Sequence, residues 1–180
     1  VRFNGKIVME SIKLVDWHVS YSGTEGFGYS DAIGCPIFSQ AAVLAFDGPK
    51  IEAIEATADQ PAGFVLIQNF RSELWPQPCN YNYEQRYEFF EDGSFRPLAV
   101  NLGRGCGDNG TYRPVTRIVF PGKNSINTWD GSQWQPWQSE GWKLQREQSS
   151  TADGAQLQLV GEDSAGYAII PGTLQPPFER

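Results

Sequence analysis

Histidine is almost missing from this chain: His18 is the only one in 180 residues. Transition-metal centres draw on imidazole and thiolate grouped at close spacing, so a site of several imidazoles cannot be built from this chain alone. The three cysteines, Cys35, Cys79 and Cys106, lie too far apart in sequence to form such a group. A serine or cysteine nucleophile would have only His18 as its base. His18 follows Trp17 in a run that reads as strand, where packing is the ordinary role. Long apolar stretches are missing too, and nothing approaches the ~20 residues of a membrane helix. Basic residues are outnumbered, 14 against 21 acidic, for a net charge of −7. Such a surface repels phosphate backbones, which argues against nucleic acid as a partner, and it does not favour anionic membranes. The opening residues, Val1-Arg2-Phe3-Asn4-Gly5, do not have the layout of a signal peptide.

Helical periodicity is the last absence. No segment sustains apolar residues at three-four spacing between caps. What is present is a series of short β-like runs divided by turn signals, in a chain with 19 glycines and 12 prolines. Ser11 to Ser20 alternates in part, and Ala41 to Phe46 ends at the turn signal Asp47-Gly48-Pro49. Lys50 to Ala58 alternates acidic and apolar residues, and Phe64 to Phe70 is apolar. Arg113 to Phe120, Gln156 to Val160 and Tyr167 to Ile170 complete the series. Short strands with regular turn signals predict an all-β chain, an antiparallel β-sandwich or a barrel. Its length suits a single domain over 1–170, followed by an extended tail, 171–180.

The longest hairpin signal runs from Tyr83 through Phe90, Glu91-Asp92-Gly93-Ser94 and Phe95 to Leu102. Aromatic and branched residues flank an Asp-Gly pair. A turn centred on Asp92-Gly93 pairs residues whose numbers total 185, and Cys79 and Cys106 share that total. Opposed residues lie at a separation that a disulfide can span, so this register places a Cys79–Cys106 bridge beside the alternative of two buried thiols. A three-residue turn would shift the register by one. Pro97 must sit at a bulge, on an edge, or facing away from its partner. A bridge would favour an extracellular or periplasmic location.

Several short motifs occur in a telling order: Gly26-Phe27-Gly28, Gly34-Cys35-Pro36, Ala41 to Gly48, Asn80-Tyr81-Asn82-Tyr83 and Phe89-Phe90-Glu91-Asp92-Gly93. Together they resemble the catalytic domain of copper amine oxidases, a large β-sandwich called a supersandwich. In that family the tyrosine after the asparagine is oxidised in place, with copper, to topaquinone. The resemblance assigns that position to Tyr81, gives copper and topaquinone as cofactors, and implies a homodimer. The chain also departs from the family. Copper there is held by three histidines, two in a His-x-His strand, and the comparable stretch here, Tyr112 to Phe120, has none. The catalytic aspartate is missing from Tyr21 to Gly26, where only Glu25 is acidic. The leading reading is therefore an amine-oxidase-like domain without catalysis, acting as a binding or assembly module. The alternative is a residual oxidase using Tyr81, with Glu25 as its nearest acid.

Two further patterns bear on function. Glu84 and Glu88 share a strand face, which alternation reads as a solvated one rather than as paired glycosidase carboxylates. Trp129, Trp134, Trp137 and Trp142 lie within fourteen residues, among Asn, Gln, Ser, Asp and Gly. Aromatic platforms beside amides hold sugar rings, which makes this cluster the place for a carbohydrate or small-molecule ligand. A hairpin over Asn127 to Trp142, whose tryptophans cap the core, is the competing account.

Overall fold

The computed structural model describes residues 1–20, 43–77, 80–102, 111–141, 143, 145–161 and 166–172. Its elements are antiparallel strands, with a 3-10 turn at Gln145–Glu147. No α-helix occurs among the described residues, none of which form a helix long and apolar enough to cross a membrane. The all-β expectation holds among the described residues, where no sheet closes on itself. Within the span expected to be one domain, the chain packs as two compact units. One comprises Val1–Lys6 with Ser11–Val119, the other Ile7–Glu10 with Phe120–Arg180.

Strands β1 (Arg2–Phe3) and β2 (Lys6–Ile7) form a small ribbon. Its turn is Asn4-Gly5, with φ of 47° and 79°. Positive φ at both central residues is the requirement of a type I′ turn, and Asn-Gly meets it with least strain. In the first unit, β3 (Ser11–Ser20) pairs with β9 (Thr111–Val119), with a bulge between Leu14 and Asp16. The larger sheet contains β4 (Val43–Ala45), β5 (Lys50–Ile54), β6 (Gly63–Ser72), β7 (Asn82–Phe90) and β8 (Phe95–Asn101). Its order is β4-β6-β7-β8, and β5 also pairs with β6.

The β7–β8 turn corrects the register expected from sequence. Phe90 and Ser94 close a three-residue loop, Glu91-Asp92-Gly93, in which Gly93 takes φ 87°. The Asp92 carboxylate is held below the ordinary carboxylate pKa by the Ser94 side chain first and then by the Ser94 amide, which it accepts at 2.8 Å. A residue in the left-handed region adds one position to the two-residue turn. Paired numbers accordingly total 184, as in Tyr83↔Asn101 and Phe89↔Phe95. The total of 185 shared by Cys79 and Cys106 no longer singles them out, and the structure gives no support for their bridge. Both lie outside the described residues, as do Cys35, Glu25, Trp142 and residues 173–180 of the expected tail. Pro97 meets its constraint: it lies opposite Tyr87 on β8, the last strand of the sheet order, where its missing amide leaves no partner unsatisfied.

Strand alternation sorts the large sheet into two unlike faces. On one, Tyr81, Tyr83, Tyr87 and Phe89 line up with Phe64, Leu66 and Phe70 of β6. The Phe64 and Phe89 ring centroids are 5.3 Å apart. On the other, Val65 and Ile67 are buried among Glu84, Arg86, Glu88 and Arg96. The Tyr87 hydroxyl links the aromatic face to β3. It accepts the Leu14 amide at 3.1 Å, at the bulge, and donates to Gln85 Oε1 at 2.8 Å. Burial raises its pKa above the ordinary phenol value, and the Leu14 hydrogen bond offsets part of that rise.

In the second unit, β10 (Asn124–Trp129), β11 (Trp134–Pro136), β12 (Leu157–Gly161) and β13 (Gly166–Ile169) form a sheet in the order β11-β10-β12-β13. Phe120 and Tyr167 pack ring to ring at 5.3 Å. Met9, Thr128, Ala155 and Leu159 are buried.

Replacing Tyr87 by Phe keeps the ring and removes both hydrogen bonds. Leaving the Leu14 donor without this acceptor is expected to cost about 1–3 kcal/mol, read as a lower urea midpoint at unchanged m-value. A midpoint equal to wild type would show that the hydroxyl does not join these strands.

Candidate functional site

Tyr81 extends the β6–β7 ladder by one rung beyond the Arg71↔Asn82 pair. Its amide donates to Ser72 Oγ at 3.0 Å, and its carbonyl accepts the Ser72 amide at 2.9 Å. Both residues have no solvent exposure. The Tyr81 and Tyr83 rings lie 5.5 Å apart at 31°, so the tyrosine singled out by the sequence sits in a packed aromatic row. Asn80, before it, is buried, with its amide bonded to Gln77 O at 3.2 Å. Asn82, after it, belongs to the opposite face, and its buried Oδ1 has no hydrogen-bond partner among the described residues.

The strand expected to replace the family's His-x-His is β9. It runs antiparallel to β3, and the register sets His18 against Arg113. Among the described residues, no three His, Cys, Asp or Glu side chains stand together as a metal site.

The hairpin carboxylates have partners of their own. Arg86 lies 3.0 Å from Glu84, and Arg96 lies 2.5 Å from Glu88. Glu88 is buried rather than solvated as alternation alone suggested, because Val65, its cross-strand neighbour, and the Arg96 guanidinium cover it. Glu91 and Asp92 are exposed in the turn, and Glu162 and Asp163 lie outside the described residues.

The tryptophan cluster divides. The hairpin turns at 130–133, so Trp134 opens the return strand and Trp129 lies directly opposite it. Their rings pack edge to face at 5.3 Å. Trp137 continues the ladder by donating its amide to Ile126 O at 2.7 Å. One step of alternation puts it on the other face of the ribbon, beside Ile126 and Thr128. Lys143 joins it there, its ammonium 5.0 Å from the Trp137 ring and 3.2 Å from Thr128 Oγ1. All three of these tryptophans are half-buried, so burial alone does not separate them.

The loop between these strands is organised by Asp130, which sequence reading did not single out. Its Oδ1 accepts the Ser132 and Gln133 amides at 2.8 and 2.9 Å and the Ser132 hydroxyl at 2.9 Å. Its Oδ2 accepts Gln135 Nε2, also at 2.9 Å. These donors hold the carboxyl far below the ordinary aspartate range, the Gln133 amide first among them. An Asp-Gly-Ser turn after an alternating run was the available signal.

The described residues define an all-β protein of antiparallel sheets, one of which has an aromatic face built from β6 and β7. No family model, curated protein or solved structure matches the chain.

Asp130 supplies a pH test. Its folded pKa is depressed, so its contribution is fully present above the unfolded value of about 3.9 and is lost as pH falls through the folded pKa. Carboxyl-carbon NMR is expected to place the midpoint below that of any free-peptide aspartate. A midpoint at the peptide value would mean that the loop hydrogen bonds do not persist in solution.

Proposed function

We propose that this chain is a non-catalytic binding domain built on an amine-oxidase-like β-sandwich, with the family's cofactor tyrosine kept as a packing residue. The observation that carries the reading is Tyr81 itself: fully buried, held at both backbone groups by Ser72, and stacked in a row with Tyr83. Oxidising it in place requires copper beside the ring, and in the family that copper rests on three imidazoles. The residues of this chain do not fit such a centre. Its single histidine cannot supply three imidazoles.

Aerobic incubation of the purified protein with copper(II), followed by phenylhydrazine and peptide mapping, tests the reading. The expected result is a colourless protein whose Tyr81 peptide has its unmodified mass. A hydrazone adduct on that peptide would overturn the proposal in favour of an oxidase whose ligands come from a second chain.

A further inference from the structure

We infer that one face of the β11-β10-β12-β13 sheet is a binding site for a neutral oligosaccharide, with Trp129 and Trp134 as its platform. This deepens the binding-domain reading and rests on it. The register supplies the argument. Trp129↔Trp134 forms one cross-strand row. The next row on the same face, two residues or roughly 7 Å along the strand, carries Asn127 with Gln158 beside it on β12. One row further on lies Ser125, with Val160 beside it on β12. Both tryptophans and both amides are half-exposed, while Ser125 and Ala168, which neighbours Gln158, are exposed.

Each row matches one part of a sugar chain. An indole face takes the apolar C–H face of a pyranose. A primary amide offers an acceptor and two donors, the set that adjacent hydroxyls require. The strand residues of this face carry no charged side chain, which suits a neutral ligand over an anionic or cationic one. Ala168 is exposed beside Gln158, and the row beyond the amides runs from exposed Ser125 through half-exposed Val160 to exposed Gly166, so uncharged surface continues along the strands for a chain of sugars. The opposite face is unlike it: Ile126, Leu157, Leu159 and Tyr167 make it apolar, and Trp137 belongs there. The site therefore includes two of the clustered tryptophans and excludes a third.

Tryptophan fluorescence titrations with cellohexaose, chitohexaose and laminarihexaose test this on the full chain. At least one sugar is expected to change the emission saturably. Trp134→Ala should weaken that sugar by at least about tenfold, the equivalent of ~1.4 kcal/mol, and Trp137→Ala by no more than about twofold. Trp134→Phe, which keeps an aromatic face, should retain most of the binding and guards against a variant that fails to fold. Amide NMR shifts on the wild-type protein should centre on Asn127, Trp129, Trp134 and Gln158. The absence of saturable binding by all three sugars would overturn the proposal, as would equal losses in Trp134→Ala and Trp137→Ala. Failure here with an unmodified Tyr81 removes the glycan site alone. A hydrazone on Tyr81 removes the non-catalytic reading instead.

Discussion

The register between β6 and β7 is the constraint on which the first unit depends. Nine successive pairs, from Gly63↔Phe90 to Arg71↔Asn82, hold the two longest strands of the sheet together. Side chains alternate across a strand, so a slip of one residue would exchange the faces. Tyr83, Tyr87 and Phe89 would move to the charged side, and Glu84 and Glu88 would enter the aromatic one. Burying unpaired carboxylates among rings is far costlier than any alternative gain, which is why the pattern of this hairpin admits one pairing. Tyr81, Ser72 and the Leu14 contact of Tyr87 all inherit their places from it.

The same logic governs the second unit with a different outcome. There the alternation places Trp129 and Trp134 with amides and Trp137 with aliphatic residues, so neighbours in sequence become residents of opposite surfaces. Proximity in sequence within a strand ribbon is therefore a poor guide to a shared site, whereas parity of position is a good one. A lysine resting on Trp137 and hydrogen-bonded to Thr128 fits a role in packing, since a cation over an indole face satisfies both partners.

Many of the strand positions along the chain were legible because β-like runs and turn residues are local signals. Ser11–Ser20, the β6 run and the β7–β8 hairpin are apparent in the sequence from their branched and aromatic residues, and Pro97 announced an edge or outward-facing position. The hairpin register was less legible, since Asp-Gly serves two-residue and three-residue loops alike, and the choice rests on whether Gly93 adopts the left-handed region. The β1–β2 ribbon did carry a readable sign in Asn4-Gly5, but its strands are two residues each and give no alternation to count. The burial of Glu88 could not be read from alternation, which names the face of a residue but not what the neighbouring strand lays over it. The division into two units left no mark in composition. For the candidate sites, Tyr81 and the tryptophans were visible as residue types, but their partners Ser72, Asn127 and Gln158 are brought to them only by strand pairing.

The far edge of β6 is occupied by two strands rather than one. β4 pairs with its end and β5 with its beginning, and the paired numbers total 115 in the first and 117 in the second. Two extra residues at Asp47-Gly48-Pro49 therefore break what would otherwise be one straight outer strand. At the opposite margin β8 carries Pro97. A sheet whose outermost strands are long, straight and complete in amides is a template on which other chains can add strands and grow into aggregates. Here one margin is kinked and the other is missing a donor near its middle. Phe64, Leu44 and Ile51 are nonetheless exposed, so this sheet keeps apolar surface in contact with water while denying passing chains the backbone ladder that would turn such contact into a fibril.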